Sequence, residues 1–160
     1  MLEVELSNRQ TRIPIAADQL RSAVRAVLAD HGVDQGSISL AVVDDRTMHE
    51  LNRRYLNHDY PTDVLSFVLE STADEMDGQI VVSADMAERQ AADYDWATEY
   101  ELLLYVLHGA LHLVGYDDHD EEKRKSMREQ EDNYLVRFGA PQRKESNCPP
   151  DCSPPRGGSA

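Results

Sequence analysis

Three histidines stand close together in this chain: His108, His112 and His119. The first two lie in the run from Leu102 to Val114, otherwise apolar apart from one glycine, so a helix there is buried on nearly every side. Their i, i+4 spacing stacks both imidazoles on one helical face, a turn apart, within reach of a single metal ion. Gly115 stands where such a helix stops in the left-handed conformation, letting the chain double back and carry His119 toward the same point. A lone histidine on an apolar face is most often a core side chain with a satisfied hydrogen bond. Two buried imidazoles with a third across a glycine stop point instead to a shared Zn²⁺, which gives both buried rings a partner. The expected site is zinc held by His108, His112 and His119, with the fourth position open.

Three neutral imidazoles leave the cation its full charge, and water at the open position then has a pKa of about 7. That chemistry hydrolyses an ester, an amide or a phosphodiester alike. The residue after the first histidine discriminates among them. In the zinc-protease pattern HExxH it is a glutamate base, and here it is Gly109, which disfavours a peptidase or amidase. Asp63, Asp117 and Asp118 are the carboxylates within sequence reach. Asp117 or Asp118 reads better as a partner that fixes the tautomer of a ligating histidine, or as a cap of the next helix, than as a catalytic base.

The elements that must position these groups fit one domain of 160 residues. Val4 to Leu6 reads as a short strand, and Ala17 to His31 as an amphipathic helix with Leu20, Val24, Val27 and Leu28 on one face, ended by Gly32. Ile38 to Val43 is a strand, after which Asp44 or Asp45 caps a helix carrying Met48, Leu51 and Tyr55. Val64 to Leu69 is a strand, Ser71 to Asp77 a loop, and Gln79 to Ser83 a second strand within a hairpin's reach. Ser83 caps a helix over Ala84 to Tyr94. Thr98 with Glu101 forms a capping box for the histidine helix, and Asp120-Glu121-Glu122 opens a last helix with Met127, Tyr134, Leu135 and Phe138 as its buried stripe. The fold class expected is α+β: a small sheet, helices packed on it, and a buried helix presenting the metal.

A net charge of −14 excludes broad, phosphate-driven nucleic-acid binding, so any RNA contact must be local. Basic spots are present at Arg53 and Arg54 and at Lys123-Arg124-Lys125 with Arg128, each by itself an ordinary solvated face. The longest apolar run is shorter than the about 20 residues of a membrane span, and Met1-Leu2-Glu3-Val4-Glu5 lacks a signal-peptide pattern, so the compartment expected is the cytoplasm. Residues 1–140 form the expected hydrolase domain. Residues 141–160, rich in Pro and Gly and without large apolar side chains, read as a disordered tail whose Cys148 and Cys152 are free thiols.

Two long motifs add what spacing cannot. His108-Gly109-Ala110-Leu111-His112-Leu113-Val114-Gly115-Tyr116-Asp117 resembles the signature of the YbeY family of metal-dependent endoribonucleases. The stretch from Leu51 to Phe67, through Pro61-Thr62-Asp63, is similar to the family's approach to its central strand, and Gly78 to Ser83 resembles the strand that follows. The resemblance implies a single-strand-specific endoribonuclease in ribosomal RNA maturation, notably at the 3′ end of small-subunit RNA, and in ribosome quality control. It implies one zinc on three histidines, with small-subunit proteins as further candidate partners. Arg53, Arg54, Thr62 and Asp63 are then candidates for the substrate cleft. The chain departs from the family pattern in three places: Asp118 intervenes before His119, Leu56 replaces an arginine, and Gln79 replaces a common acidic residue. A ribosome-assembly factor with a purely structural zinc is the alternative from another class.

Overall fold

The computed structural model describes residues 2–56, 63–117 and 119–141. Its elements in chain order are β1 (Glu3–Asn8), α1 (Ala17–Asp30), β2 (Gln35–Val43), α2 (Asp45–Leu56), β3 (Val64–Ser71), β4 (Glu75–Ser83), α3 (Ala84–Asp93), α4 (Thr98–Leu113) and α5 (Glu121–Arg137). The four strands form one sheet in the order β1-β2-β4-β3. β1, β2 and β4 run parallel, and β3 closes the sheet antiparallel to β4. This is the expected α+β domain. No helix among the described residues is long and apolar enough to cross a membrane.

Strand alternation sorts the core onto two faces. Val4, Ile38, Leu40, Val42, Val64, Ile80 and Val82 face the layer made by α1, α4 and α5. Ala41, Val43, Leu65 and Val81 face the other way, against Met48 of α2. α4 is the centre of the helical layer, packed against α1, α3, α5, β3 and β4, and every side chain from Glu101 to Leu111 is buried. That multiple contact accounts for its nearly all-round apolar sequence.

Several local signals are realised as read. The Ser83 hydroxyl accepts from the Met86 N–H at 3.1 Å, and the Asp120 carboxylate from the Lys123 N–H at 2.8 Å, capping α3 and α5. Asp44, rather than Asp45, caps α2 by accepting from the Thr47 N–H at 2.8 Å. The Asp45 carboxylate instead accepts from Arg89 and from the Ser83 hydroxyl.

Three expectations are corrected. The stretch from Ser71 to Asp77 is not a loop: Glu75 to Asp77 already belong to β4, pairing with Gln35 to Ser37 of β2, and only a tight turn closed by Thr72 N–H to Glu75 O at 2.8 Å separates β3 from β4. Ladder bonds on both sides of β4 draw this polar segment into the sheet, with Met76 as its buried anchor. The Thr98–Glu101 capping box does not form. Ala97 occupies the cap position of α4 without a side-chain bond, and the buried Glu101 carboxylate accepts from the Trp96 indole N–H at 2.9 Å. Phe138 packs against the core only partly buried, at the C-cap of α5.

Gly109 sets the depth of α4 on the sheet. A Cβ there would lie 2.7 Å from Ile80 Cγ2 and 3.1 Å from Val64 Cγ2, so the helix approaches β4 and β3 more closely than any side chain permits. α5 is tied across the layer by Asp30, whose carboxylate accepts from the Tyr134 hydroxyl at 2.7 Å and from Arg137 at 2.8 Å. The Tyr134 bond and then Arg137 hold the Asp30 carboxyl below its ordinary range, while Tyr134 is pushed up by burial and by that same bond.

Gly109→Ala will lower stability by up to about 2 kcal/mol in denaturant unfolding, because overpacking of about 1–3 kcal/mol exceeds the about 1 kcal/mol of helix propensity that alanine gains. A more stable alanine variant would mean that α4 is free to lift. Because the Asp30 carboxyl is depressed in the folded state, its contribution is fully present above the unfolded value of about 4 and is lost as pH falls through the folded value. Unfolding midpoints followed on acidification will therefore fall less steeply in Asp30→Asn than in the wild type, and parallel curves would contradict this tie.

Candidate functional site

The last turns of α4 carry the site. The i, i+4 spacing places the rings of His108 and His112 edge to face, with centroids 4.6 Å apart and planes at 76°. Their Nε2 atoms face each other at 3.0 Å. His108 is 3% exposed, whereas His112 is half-buried and forms the edge of the site that meets solvent. On its other side His108 Nδ1 is hydrogen-bonded to Glu131 Oε2 of α5 at 2.5 Å.

The glycine stop is realised in full. Val114 ends the helix, Gly115 turns it with φ +106°, the Gly115 N–H reaches His112 O at 3.1 Å, and the Tyr116 N–H reaches Leu111 O at 3.0 Å. This is a Schellman closure, which fits glycine at the turning position. The chain reverses at once, and Asp117 and His119 follow before the cap of α5. Asp117 Oδ1 accepts from the His119 backbone N–H at 3.2 Å, and its other oxygen lies 3.7 Å from Lys123 Nζ. The His119 N–H first, then Lys123 and the neighbouring His119 and His112 rings, hold the Asp117 carboxyl below its ordinary range.

The structure brings together His108 and His112, with Asp117 within electrostatic reach of His112 and His119. His119 itself is exposed in the turn. Among the described residues no group of three or more His, Cys, Asp or Glu side chains is arranged to hold a metal. Asp118 and Thr62 lie outside the described residues, as does the tail from residue 142. Asp63 is buried, its Oδ1 accepting from the Val64 N–H at 2.8 Å and its carbonyl from the Ser83 N–H at 3.0 Å, one residue before the Val64 side chain that lies under Gly109. Arg53 and Arg54 are exposed in the last turn of α2, the helix packed on the opposite face of the sheet from α4. Gln79 lines a cleft of about 480 Å³ on that same opposite face, with Arg9, Ser39 and Phe67.

Sequence reading missed Glu131. Asp117 or Asp118 was expected to be the carboxylate on a ligating histidine, yet at His108 that place is taken by Glu131 from another helix, while Asp117 serves the His119 backbone and Lys123. A signal was present: Met127, Glu131, Tyr134 and Leu135 are spaced i, i+4, i+7, i+8, which sets a carboxylate in the middle of the buried stripe of α5.

The donor set suits a zinc ion in two positions. Two imidazole nitrogens that face each other at 3.0 Å cannot both carry hydrogen, and such nitrogens are ligands that Zn²⁺ prefers. Position 109, where a metalloprotease carries its base, points into Ile80 and Val64 and has no room for a carboxylate.

A family model described as Endoribonuclease YbeY matches residues 5–139. An Endoribonuclease YbeY of Rhodopirellula baltica is 42% identical over 118 residues, covering 72% of this chain and 61% of the relative's own length. One from Chlorobium phaeobacteroides is 37% identical over 131 residues, covering 82% of this chain and 92% of the relative. In fold, the chain is similar to the solution structure of TM1509 from Thermotoga maritima, with a TM-score of 0.59 and 26% identity over 86% of this chain and 89% of the other. With a family model that spans residues 5–139 and relatives 37% and 42% identical over most of its length, the chain belongs to the YbeY family of endoribonucleases.

Proposed function

We propose that this endoribonuclease cuts single-stranded ribosomal RNA during maturation of the small subunit, at the 3′ end, and in ribosome quality control, in the cytoplasm and with zinc as its metal. The observation that carries the metal reading is the convergence of His108 Nε2 and His112 Nε2 at 3.0 Å at the end of a buried helix. His108 and His112 hold the ion, and His119 is the third ligand we assign. When bound there, zinc supplies a hydroxide nucleophile near neutral pH and polarises the phosphodiester.

The chain's own residues supply the rest. Half-buried His112 leaves one side of the site open to a strand of RNA, while His108 is sealed against water. Asp117, held below the ordinary carboxyl range beside His112 and His119, is ionised at neutral pH and suits a partner that orients this turn and its histidine rather than a base. Lys123, Arg124, Lys125 and Arg128 are exposed on the first turns of α5 directly after this turn, interleaved with the exposed acids Asp120, Glu121, Glu122 and Glu129, on a chain of net charge −14. They suit phosphate contacts confined to the site, with small-subunit proteins as further partners. Peptide hydrolysis is disfavoured because the base position is filled by the sheet at Gly109.

The purified chain will cleave single-stranded RNA and leave casein-like substrates intact, and His112→Ala or a chelator will abolish the cleavage. Proteolysis that disappears with chelator would overturn this assignment. His119→Ala will lose most of the zinc affinity in titration at fixed pH, whereas Asp118→Asn will lose little. The reverse result would move the third ligand by one residue.

A further inference from the structure

We infer that Glu131 is a positioning residue for His108: its carboxylate holds the hydrogen of His108 on Nδ1, so that Nε2 faces His112 as a bare lone pair. The inference deepens the metal reading above and rests on it for its consequence, though not for its geometry.

Three observations carry it. The contact is short, 2.5 Å from Glu131 Oε2 to His108 Nδ1, and both side chains are more than nine-tenths buried, at 8% and 4% exposure. A carboxylate acceptor at that distance requires the hydrogen on Nδ1, and a neutral imidazole has only one. Glu131 also stands in a stripe that folding alone would make apolar, between Met127 and the pair Tyr134 and Leu135, where a carboxylate is costly unless a partner compensates it. Finally, the position of Glu131 is fixed from outside the site. Within the next two turns of α5, Tyr134 and Arg137 are bound to Asp30 of α1, and Leu135 is buried in the core, so the carboxylate is presented by an element locked on two sides.

The chemistry follows from the tautomer. A free histidine divides its hydrogen between two nitrogens; here the division is made before any metal arrives. Negative charge behind the ring also makes Nε2 a stronger donor toward a cation. α5 is therefore part of the site, although its sequence carries no ligand.

The test uses the full-length chain with Glu131→Leu and Glu131→Gln. Long-range ¹H–¹⁵N correlation spectra of the metal-free protein report the His108 tautomer, and competition titration with zinc reports affinity. The wild type will show the Nδ1–H form. The leucine variant will shift toward Nε2–H and bind zinc about 10–100-fold more weakly. The glutamine variant, whose amide oxygen still accepts, will retain the Nδ1–H form with a smaller loss. Should the leucine variant fail to fold, the wild-type and glutamine spectra decide. An Nε2–H tautomer in the wild type, or wild-type tautomer and zinc affinity in a folded leucine variant, overturns the inference. A wild type that binds no zinc defeats the metal reading instead, and the tautomer spectra still report on Glu131.

Discussion

Carrying one buried and one half-buried imidazole on the most apolar of the described helices is the constraint that the surrounding structure answers. A polar ring nitrogen left without a partner in such surroundings costs about 1–3 kcal/mol, a large part of the net stability of a domain this size. Each nitrogen of His108 has its answer: Glu131 on one side, His112 on the other. The same arrangement that satisfies the fold leaves two nitrogens directed at one point at the solvent-facing edge, and a metal ion is what such a point accepts.

Placement of that helix depends on contacts from opposite directions. From below, Gly109 lets α4 settle onto Ile80 and Val64, which fixes the height of His108 one residue away. From above, α5 closes over it, tied to α1 through Asp30. At the end, the closure at Gly115 reverses the chain within two residues and starts the turn that carries Asp117 and His119. Substitutions at Gly109, Asp30 or Gly115 would thus act on the site without touching it.

The parts of this arrangement legible in the sequence were those encoded locally. A cap needs only a hydroxyl or carboxylate three residues before an amide, so Ser83 and Asp120 could be read directly. Gly115 and the i, i+4 histidines are likewise short-range signals. The capping box at Thr98 and Glu101 has equally good local credentials and still fails, because the Trp96 indole takes the carboxylate into the core. The first residues of β4 were misread as a loop because their strand character comes from neighbours on both sides, not from their own composition. Glu131 was overlooked for the same reason: its partner lies 23 residues away on another helix. Family resemblance supplied the enzyme class, which no spacing of histidines could select.

The ligands proposed for the metal are His108 and His112 at the end of α4 with His119 in the turn that follows, and no sulfur. X-ray absorption at the zinc edge of the full-length chain, loaded with one equivalent, measures this directly. It should show the multiple scattering of at least two imidazoles in a shell of nitrogen and oxygen with no sulfur. A shell containing sulfur, which only the tail thiols Cys148 and Cys152 or a methionine could supply, or a shell without imidazole, would contradict it.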